Sequence, residues 1–153
     1  MKCANCGGEI HFNENCKDCG IGYDEMIRNI SHPEMKRLFK RMGELQEEHR
    51  DITLEESLMA CEFENSSLII AGQRDDDGQG VLATLGPDDK PYIALFTDLE
   101  EFNREENDFD PLTNSWNVIM ELLKENVNGF VINLYDVPAF IPRGYIDRYF
   151  GGE

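Results

Sequence analysis

Residues 3–20 read CANCGGEIHFNENCKDCG, a stretch with two Cys-x-x-Cys pairs that are separated by nine residues. Two tight turns of this kind bring four thiolates together as a tetrahedral site for a soft or borderline metal, for which zinc is the default. The four predicted ligands are Cys3, Cys6, Cys16 and Cys19. The N-terminal segment is therefore predicted to be a zinc ribbon with one Zn²⁺ per chain. Four thiolates also accept iron, so the sequence leaves the choice between these metals open.

The residues around the cysteines favour a structural metal site over a redox dithiol. Gly7 and Gly20 follow the pairs, and glycine lets the backbone turn back and point its N–H groups at sulfur. A redox Cys-x-x-Cys normally opens a helix in a βαβ unit, which is not the pattern here. His11 lies between the pairs and is expected on the surface, because four cysteines already complete the tetrahedron. A ribbon of 24 residues buries little apolar surface, so metal affinity must supply its folding energy.

The length and the apolar content bound the class of protein. The chain has 153 residues, of which 41% are hydrophobic, which is enough for one domain with a small appendage. No apolar run approaches the length of a membrane span, and no signal peptide is visible. We therefore expect a cytoplasmic, reducing compartment, where paired cysteines bind metal before they form disulfides.

Charge is distributed unevenly along the chain. The net charge is −17, with eight Lys/Arg against nine Asp/Glu in residues 1–50 and six against 22 in residues 51–153. An acidic body repels nucleic acid and anionic membrane surfaces. It favours basic partners, or it serves solubility alone.

Residues 25–50 are predicted to be a helical connector, with a helix over residues 31–50. Ser31 and Glu34 fit a capping box, and Pro33 falls in the first turn, where its missing N–H is harmless. Residues at helical spacing form an apolar stripe: Met35, Leu38, Met42 and Leu45.

The flank of this stripe carries four basic residues, Lys36, Arg37, Lys40 and Arg41. As a functional patch they would hold a phosphate backbone or an acidic partner. Alternatively they face the acidic body of the same molecule or the solvent, which we favour because four charges on a helix are common.

Residues 51–153 read as an α+β body. A helix is predicted over residues 53–63, with a capping box at Thr53 and Glu56 and with one buried face. That face is predicted to contain Leu54, Leu58 and Cys61, so Cys61 is expected to be a buried apolar residue rather than a nucleophile.

Short strands and helices follow in the body. Strands are predicted at 67–72, 81–85, 91–97 and 130–135, the second and third forming a hairpin, and residues 139–142 are predicted to be a short extended piece. The acidic turn 75–80 resembles the start of a calcium-binding loop, but Gly86 stands where that loop needs a bidentate acid, so an ordinary turn is predicted. Helices are predicted at 99–102, from Pro111 to about Asn126, and from Gly144.

Two parts of this body resemble the SseB-type N-terminal domain over roughly residues 53–150. One is PYIALFTDLEEF at residues 91–102, and the other is GFVINLY at residues 129–135 followed by AFIPRGYI at residues 139–146. Leu134 departs from the Asn-Pro that usually stands in the family at this point. The resemblance implies a small mixed β-sheet with flanking helices and a non-catalytic accessory role. It carries over no catalytic residues.

These features predict a non-enzymatic, zinc-binding cytoplasmic adaptor, with a ribbon (residues 1–24), a helical connector (residues 25–50) and an SseB-like domain (residues 51–153). The acidic body would bind a protein partner. One alternative is nucleic-acid contact through the ribbon and the basic helix 36–41, although the charge of the body disfavours it. A weaker alternative is an acidic inhibitor or immunity-type protein for a basic toxin. Membrane binding is not expected, and the sequence leaves the oligomeric state open.

Overall fold

The structure, a computed structural model, describes residues 2–64, 67–72, 81–105, 109–123, 126–136 and 138–150. Its helices are α1 (Tyr23–Asn29), α2 (Pro33–Glu47), α3 (Thr53–Glu64), α4 (Leu99–Phe102), α5 (Trp116–Met120) and α6 (Arg143–Phe150). Its strands are β1 (Ser67–Gly72), β2 (Ala83–Leu85), β3 (Pro91–Phe96), β4 (Asp110–Ser115), β5 (Gly129–Ile132) and β6 (Ala139–Pro142). Within these ranges, no helix has the length and apolar character that crossing a membrane requires.

The six strands form one mixed sheet in the order β4-β1-β3-β5-β6. Among the described strand pairs, β3 and β5 are parallel and the others are antiparallel. β1 and β2 both pair with β3, opposite Leu95 and Ile93 respectively, so they lie end to end along one edge of it. The predicted α+β fold, with a mixed sheet flanked by helices, is confirmed.

Side chains alternate between the two faces of this sheet, as the period of a strand requires. In β1, Leu68 and Ile70 pack on one face, and Ile69 and Ala71 pack on the other. Both faces are apolar because both are covered, which explains why the strand reads as a continuous apolar run rather than an alternating one.

Helices cover the first face. α2, α3, α5 and α6 pack here, and aromatic side chains fill the centre of the cluster. Trp116 stacks on Phe63 with ring centroids 4.7 Å apart and also contacts Phe130 at 5.4 Å. Trp116 and Phe63 are almost fully buried, so this cluster anchors α3 and α5 on the sheet.

The cysteine-rich segment and α1 cover the second face. Their buried residues share one core cluster with Ile69, Ala71, Ala94 and Val131 of the sheet. Those contributed by the N-terminal segment are Cys3, Ile10, Cys16, Tyr23, Met26, Ile27 and Ile30. The molecule therefore has three layers, and the N-terminal segment is one of them.

Local features disfavour further strand pairing at the edge strands β4 and β6. On β4, the Lys2 N–H donates to Asn114 Oδ1 at 3.3 Å, and the Tyr23 hydroxyl donates to the Pro111 carbonyl oxygen at 2.5 Å. At the other edge, Pro142 ends β6 and has no N–H to offer an incoming strand.

The sequence prediction of one helix from Pro111 to about Asn126 is wrong except at residues 116–120, because the described residues 121–123 and 126 are not helical. Residues 110–115 form strand β4, which pairs with the whole of β1, and the helix α5 begins only at Trp116. Pro111 was interpreted as a helix start, but it is also tolerated in an edge strand, where one side of the backbone makes no ladder bonds. The buried residues of α5 are Trp116 and Ile119.

Two details of the helix starts also differ from the prediction. α2 begins at Pro33 after His32, and no side-chain cap bonds there, so the Ser31 capping box is not formed. At α3, Asp51 Oδ1 accepts hydrogen bonds from the N–H and the hydroxyl of Thr53, so Asp51 takes the predicted role of Thr53. The helix α1 was not predicted.

The predicted buried face of α3 is wrong. Leu54 and Leu58 are 66% and 45% exposed, and Cys61 is exposed as well. The buried side of the helix consists of Met59, Ala60 and Phe63. Apolar residues occur on both sides of this helix, so helical periodicity alone did not decide which side faces the sheet.

Several short elements agree with the prediction. β1 and α4 have the predicted bounds, and β2 and β3 form the predicted hairpin. Asp98 Oδ1 caps α4 by accepting from the Glu101 N–H at 2.9 Å. The acidic turn 75–80 lies outside the described residues.

Candidate metal centre

Two matched turns build the candidate metal centre. The Gly7 N–H donates to the Cys3 carbonyl oxygen at 2.9 Å, and the Gly20 N–H donates to the Cys16 carbonyl oxygen at 2.8 Å. Gly7 has φ +82° and Gly20 has φ +79°, a left-handed conformation that glycine adopts without strain. The predicted backbone turn at the glycine after each pair is therefore confirmed, and the N–H groups of these two glycines themselves donate to carbonyl oxygens.

Hydrogen-bond donors point at the sulfur atoms of the second cysteine in each pair. The Gly8 N–H donates to Cys6 Sγ at 3.4 Å, and the Asn5 side-chain amide donates to Cys19 Sγ at 3.3 Å. Such donors stabilise the negative charge of a thiolate, which is the form that binds metal.

The four sulfur atoms converge on one point. Cys3 Sγ lies 3.9 Å from Cys19 Sγ, Cys6 Sγ lies 3.6 Å from Cys16 Sγ, and all four lie within 4.8 Å of one another. A tetrahedron with metal–sulfur bonds of about 2.3 Å separates its sulfurs by about 3.8 Å. These four cysteines could therefore hold a metal ion.

The cluster divides its charge unevenly when it is considered without metal. Hydrogen bonds from Asn5 and from the Ile21 N–H lower the pKa of Cys19 to about 6. The Gly8 N–H lowers the pKa of Cys6, but desolvation and the neighbouring sulfurs outweigh it and raise this pKa to about 12. One thiolate in the cluster therefore disfavours a second, and a bound cation would remove that repulsion.

Two of the four cysteines of the candidate metal centre are buried and two are exposed. Cys3 and Cys16 are buried in the core cluster beneath the sheet, whereas Cys6 and Cys19 are exposed. A metal held by all four would connect the outer turns to residues that pack on β1 and β3. His11 is exposed, as predicted, and lies 4.0 Å from Glu9 rather than in the sulfur cluster.

The predicted basic patch on α2 is partly neutralised by the protein itself. Lys36 Nζ forms an ion pair with Asp98 Oδ2 at 2.8 Å, and Arg37 pairs with Glu34 on the same helix. Lys40 and Arg41 are exposed. The four residues therefore do not form one continuous patch with free charges.

A cavity of about 600 Å³ lies between α2 and the end of the sheet. Apolar side chains, including Phe39, Met42 and Phe140, form much of its wall, and Lys36 and Asn133 are among its polar groups. Its described lining contains no histidine, cysteine or serine.

A polar network stands beside this cavity, where the parallel strands β3 and β5 end. Asn133 Oδ1 accepts a hydrogen bond from the Thr97 N–H at 3.0 Å, which joins the two strand ends. Glu101 is 1% exposed and pairs with Arg104, which also lies 3.6 Å from Asp136. These groups satisfy one another, so the network is a structural junction.

The chain has no match among the protein-family models, the curated proteins or the solved structures.

Proposed function

We propose that this chain is a zinc-binding, non-catalytic accessory protein of a reducing compartment, and that its acidic body binds a protein partner. The sulfur cluster carries the first half of the proposal. Four protein ligands leave no open position for a substrate, which is typical of structural zinc sites rather than catalytic ones. The burial of Cys3 and Cys16 gives such a site a structural role.

The charge of the body supports a protein partner over nucleic acid. Residues 51–153 carry six Lys/Arg against 22 Asp/Glu, and Lys36 is already paired with Asp98. Phosphate backbones are bound by several uncommitted cations, each of which adds to the salt dependence. The SseB-type resemblance of residues 53–150 stays a prediction and points in the same direction, because such domains serve as accessory parts of larger systems.

The test of this proposal has two readouts. Elemental analysis of the protein purified from its native cells should find one zinc per chain in the wild type and less in the variant with Cys16→Ser and Cys19→Ser. A pull-down from native lysate should retain a stoichiometric protein that survives nuclease treatment. Iron in place of zinc would contradict the metal assignment.

A separate variant tests the alternative that the protein binds nucleic acid. Lys40→Glu with Arg41→Glu changes two exposed charges of α2 and leaves the Lys36–Asp98 pair in place. Recovery of nucleic acid that this variant abolishes, with a steep salt dependence, would overturn the proposal of a protein partner. Turnover of a substrate by the purified protein would overturn its non-catalytic half.

A further inference from the structure

The outer side of α3 presents an apolar stripe to solvent. Leu54 and Leu58 are one turn apart, with 66% and 45% of their surfaces exposed, and exposed Cys61 continues the line. These positions are spaced four and three residues apart, so they lie on one side of the helix. That side is opposite the buried Met59 and Phe63. We call Leu54, Leu58 and Cys61 the α3 stripe.

Acidic side chains border the α3 stripe. Glu55 and Glu62 lie along one side of it, and Glu64 lies on the other, by the angular spacing of an α-helix. Within the described ranges, none of these three carboxylates has an ion-pair partner, whereas Glu56, on the buried side, lies 3.8 Å from Arg148. The helix contains no basic residue at all. The stripe is therefore an apolar line between negative borders.

We propose that the α3 stripe is the docking surface for an amphipathic helix of a protein partner, which has an apolar face bordered by Lys or Arg. This inference rests on the proposed function, to which it assigns a surface and a partner chemistry. Helix-on-helix docking uses apolar anchors at three- and four-residue spacing, which the stripe supplies. The unpaired glutamates would then meet opposite charges at the rim, where they select the partner and speed its association.

Charge argues against a second copy of this chain as the occupant. If α3 packed on α3 of another copy, two apolar lines would meet, but each would bring its own row of glutamates and no cation on the helix to offset them. Like charges placed side by side across an interface disfavour it. Among the residues that the structure describes, the other large exposed apolar side chains are Leu85 and Val118, which lie on different elements, so neither extends into a comparable stripe.

The size of the stripe defines what it contributes. A stable interface buries about 800 Å² on each partner, which is more than two leucines and a cysteine provide. The stripe would be the apolar centre of such an interface, where a few residues carry most of the binding free energy. The glutamates and neighbouring polar groups would form its rim.

The test uses synthetic helices as probes and the full-length, metal-bound protein. The first peptide is an amphipathic helix of about 15 residues with leucines at three- and four-residue spacing and lysines beside them. The second carries glutamates in place of the lysines, and the third has the composition of the first with the leucines scrambled off the stripe. Binding is measured by isothermal titration calorimetry and mapped by amide chemical shifts.

We expect only the first peptide to bind the wild type, with shifts concentrated on α3. Leu54→Ser with Leu58→Ser should weaken its binding by about tenfold or more, since two anchors are lost. The matched control, Leu85→Ser, removes an equally exposed leucine from β2 and should leave the affinity unchanged. Glu55→Lys with Glu62→Lys should weaken the lysine peptide and admit the glutamate peptide.

Three results with the peptides and the purified protein would overturn the inference. Equal binding of the scrambled peptide would show attraction by net charge alone. Unchanged affinity in the Leu54→Ser/Leu58→Ser variant would place the contact elsewhere on the protein. A wild-type dimer that this variant dissociates would make a second copy the occupant. If a native partner is captured equally by the wild type and the double serine variant, the inference fails while the proposed function stands; if no protein partner is captured at all, the proposed function fails as well.

Discussion

The hydroxyl of Tyr23 donates a hydrogen bond to the carbonyl oxygen of Pro111, and the two oxygens are 2.5 Å apart. Tyr23 begins α1, directly after the cysteine-rich turns, and Pro111 lies on the edge strand β4. The bond joins residues 88 positions apart in the chain and fastens the N-terminal layer to the rim of the sheet. Since Tyr23 is also buried in the core cluster of that layer, this contact combines apolar packing with a satisfied polar tip.

Replacing this hydroxyl should weaken the attachment of the N-terminal layer. We expect Tyr23→Phe to lower the free energy of unfolding by about 1 kcal/mol, because the ring remains and a partly buried carbonyl loses its donor. Urea unfolding of metal-loaded protein measures this difference. Tyr149→Phe, on the C-terminal helix α6, is the control and should change stability much less; an unchanged Tyr23→Phe variant would mean that the bond adds nothing in solution.

Two exposed glycines should respond to alanine in opposite directions. A methyl group at Gly20 or at Gly43 would meet no atom within 4 Å, so only backbone conformation distinguishes the two sites. Gly20→Ala should destabilise by about 1 kcal/mol, because φ is +79° there. Gly43→Ala, inside α2, should stabilise by about 0.5–1 kcal/mol. Thermal unfolding of both variants tests this pair of predictions. A change in stability of the same sign in both variants would contradict this account of the turn at Gly20.

The Lys36–Asp98 ion pair should make stability depend on pH in the acid range. Burial alone would raise the pKa of Asp98, but the hydrogen bond and charge of Lys36 and the Glu101 N–H outweigh it, so the pKa lies below its ordinary value of 3.8. A carboxyl whose pKa falls on folding stabilises the protein above its unfolded pKa. That contribution is lost as the pH falls through the folded pKa.

Asp98→Asn isolates this charge, because asparagine can still cap α4. We expect the variant to be less stable by about 0.5–1 kcal/mol near neutral pH, a modest value because Lys36 is partly exposed. The difference should stay constant down to about pH 5 and shrink below pH 4. Urea unfolding at several pH values measures it, and a difference that persists unchanged at the lowest pH would refute the ion pair as its cause.

Features set by neighbouring residues were predictable from the sequence. The two cysteine turns, the cap of α4 by Asp98 and the strand β1 depend on spacing, turn chemistry and short apolar runs, and the structure has all three. Gly7 and Gly20 are the clearest example of a predictable feature. The positive φ after each Cys-x-x-Cys pair lets the backbone turn back so that N–H groups can point at sulfur.

Features set by distant partners were not predictable. Residues 110–115 form a strand because β1 pairs with them, and nothing local to Pro111 indicates that partner. The buried side of α3 depends on the contact of Phe63 with Trp116. Because the helix is apolar on both sides, its sequence alone wrongly predicts that Leu54 and Leu58 are buried. The N-terminal segment forms a layer of the core because it packs on the apolar second face of the sheet, and that face is built from strands distant in sequence.

This last point changes what we expect from loss of the metal. From the sequence alone, Cys16→Ser would loosen residues 1–24 and leave the body folded. In the structure, Cys16 is buried in one cluster with Ile69, Ala71 and Ala94 of β1 and β3. Releasing the metal should therefore uncover one face of the sheet and destabilise the strands as well.

Amide hydrogen exchange tests this central claim most directly. It is measured on the wild type before and after metal removal with a chelator, and on Cys16→Ser. Cys61→Ser is the control, since Cys61 is exposed on α3 and outside the sulfur cluster. We predict that the amides of Ile69 and Ala94 lose protection together with those of the N-terminal segment, and that Cys61→Ser keeps it. Strand amides that stay fully protected while residues 2–22 exchange freely would show that the metal centre is an appendage, and would contradict its place as a layer of the core.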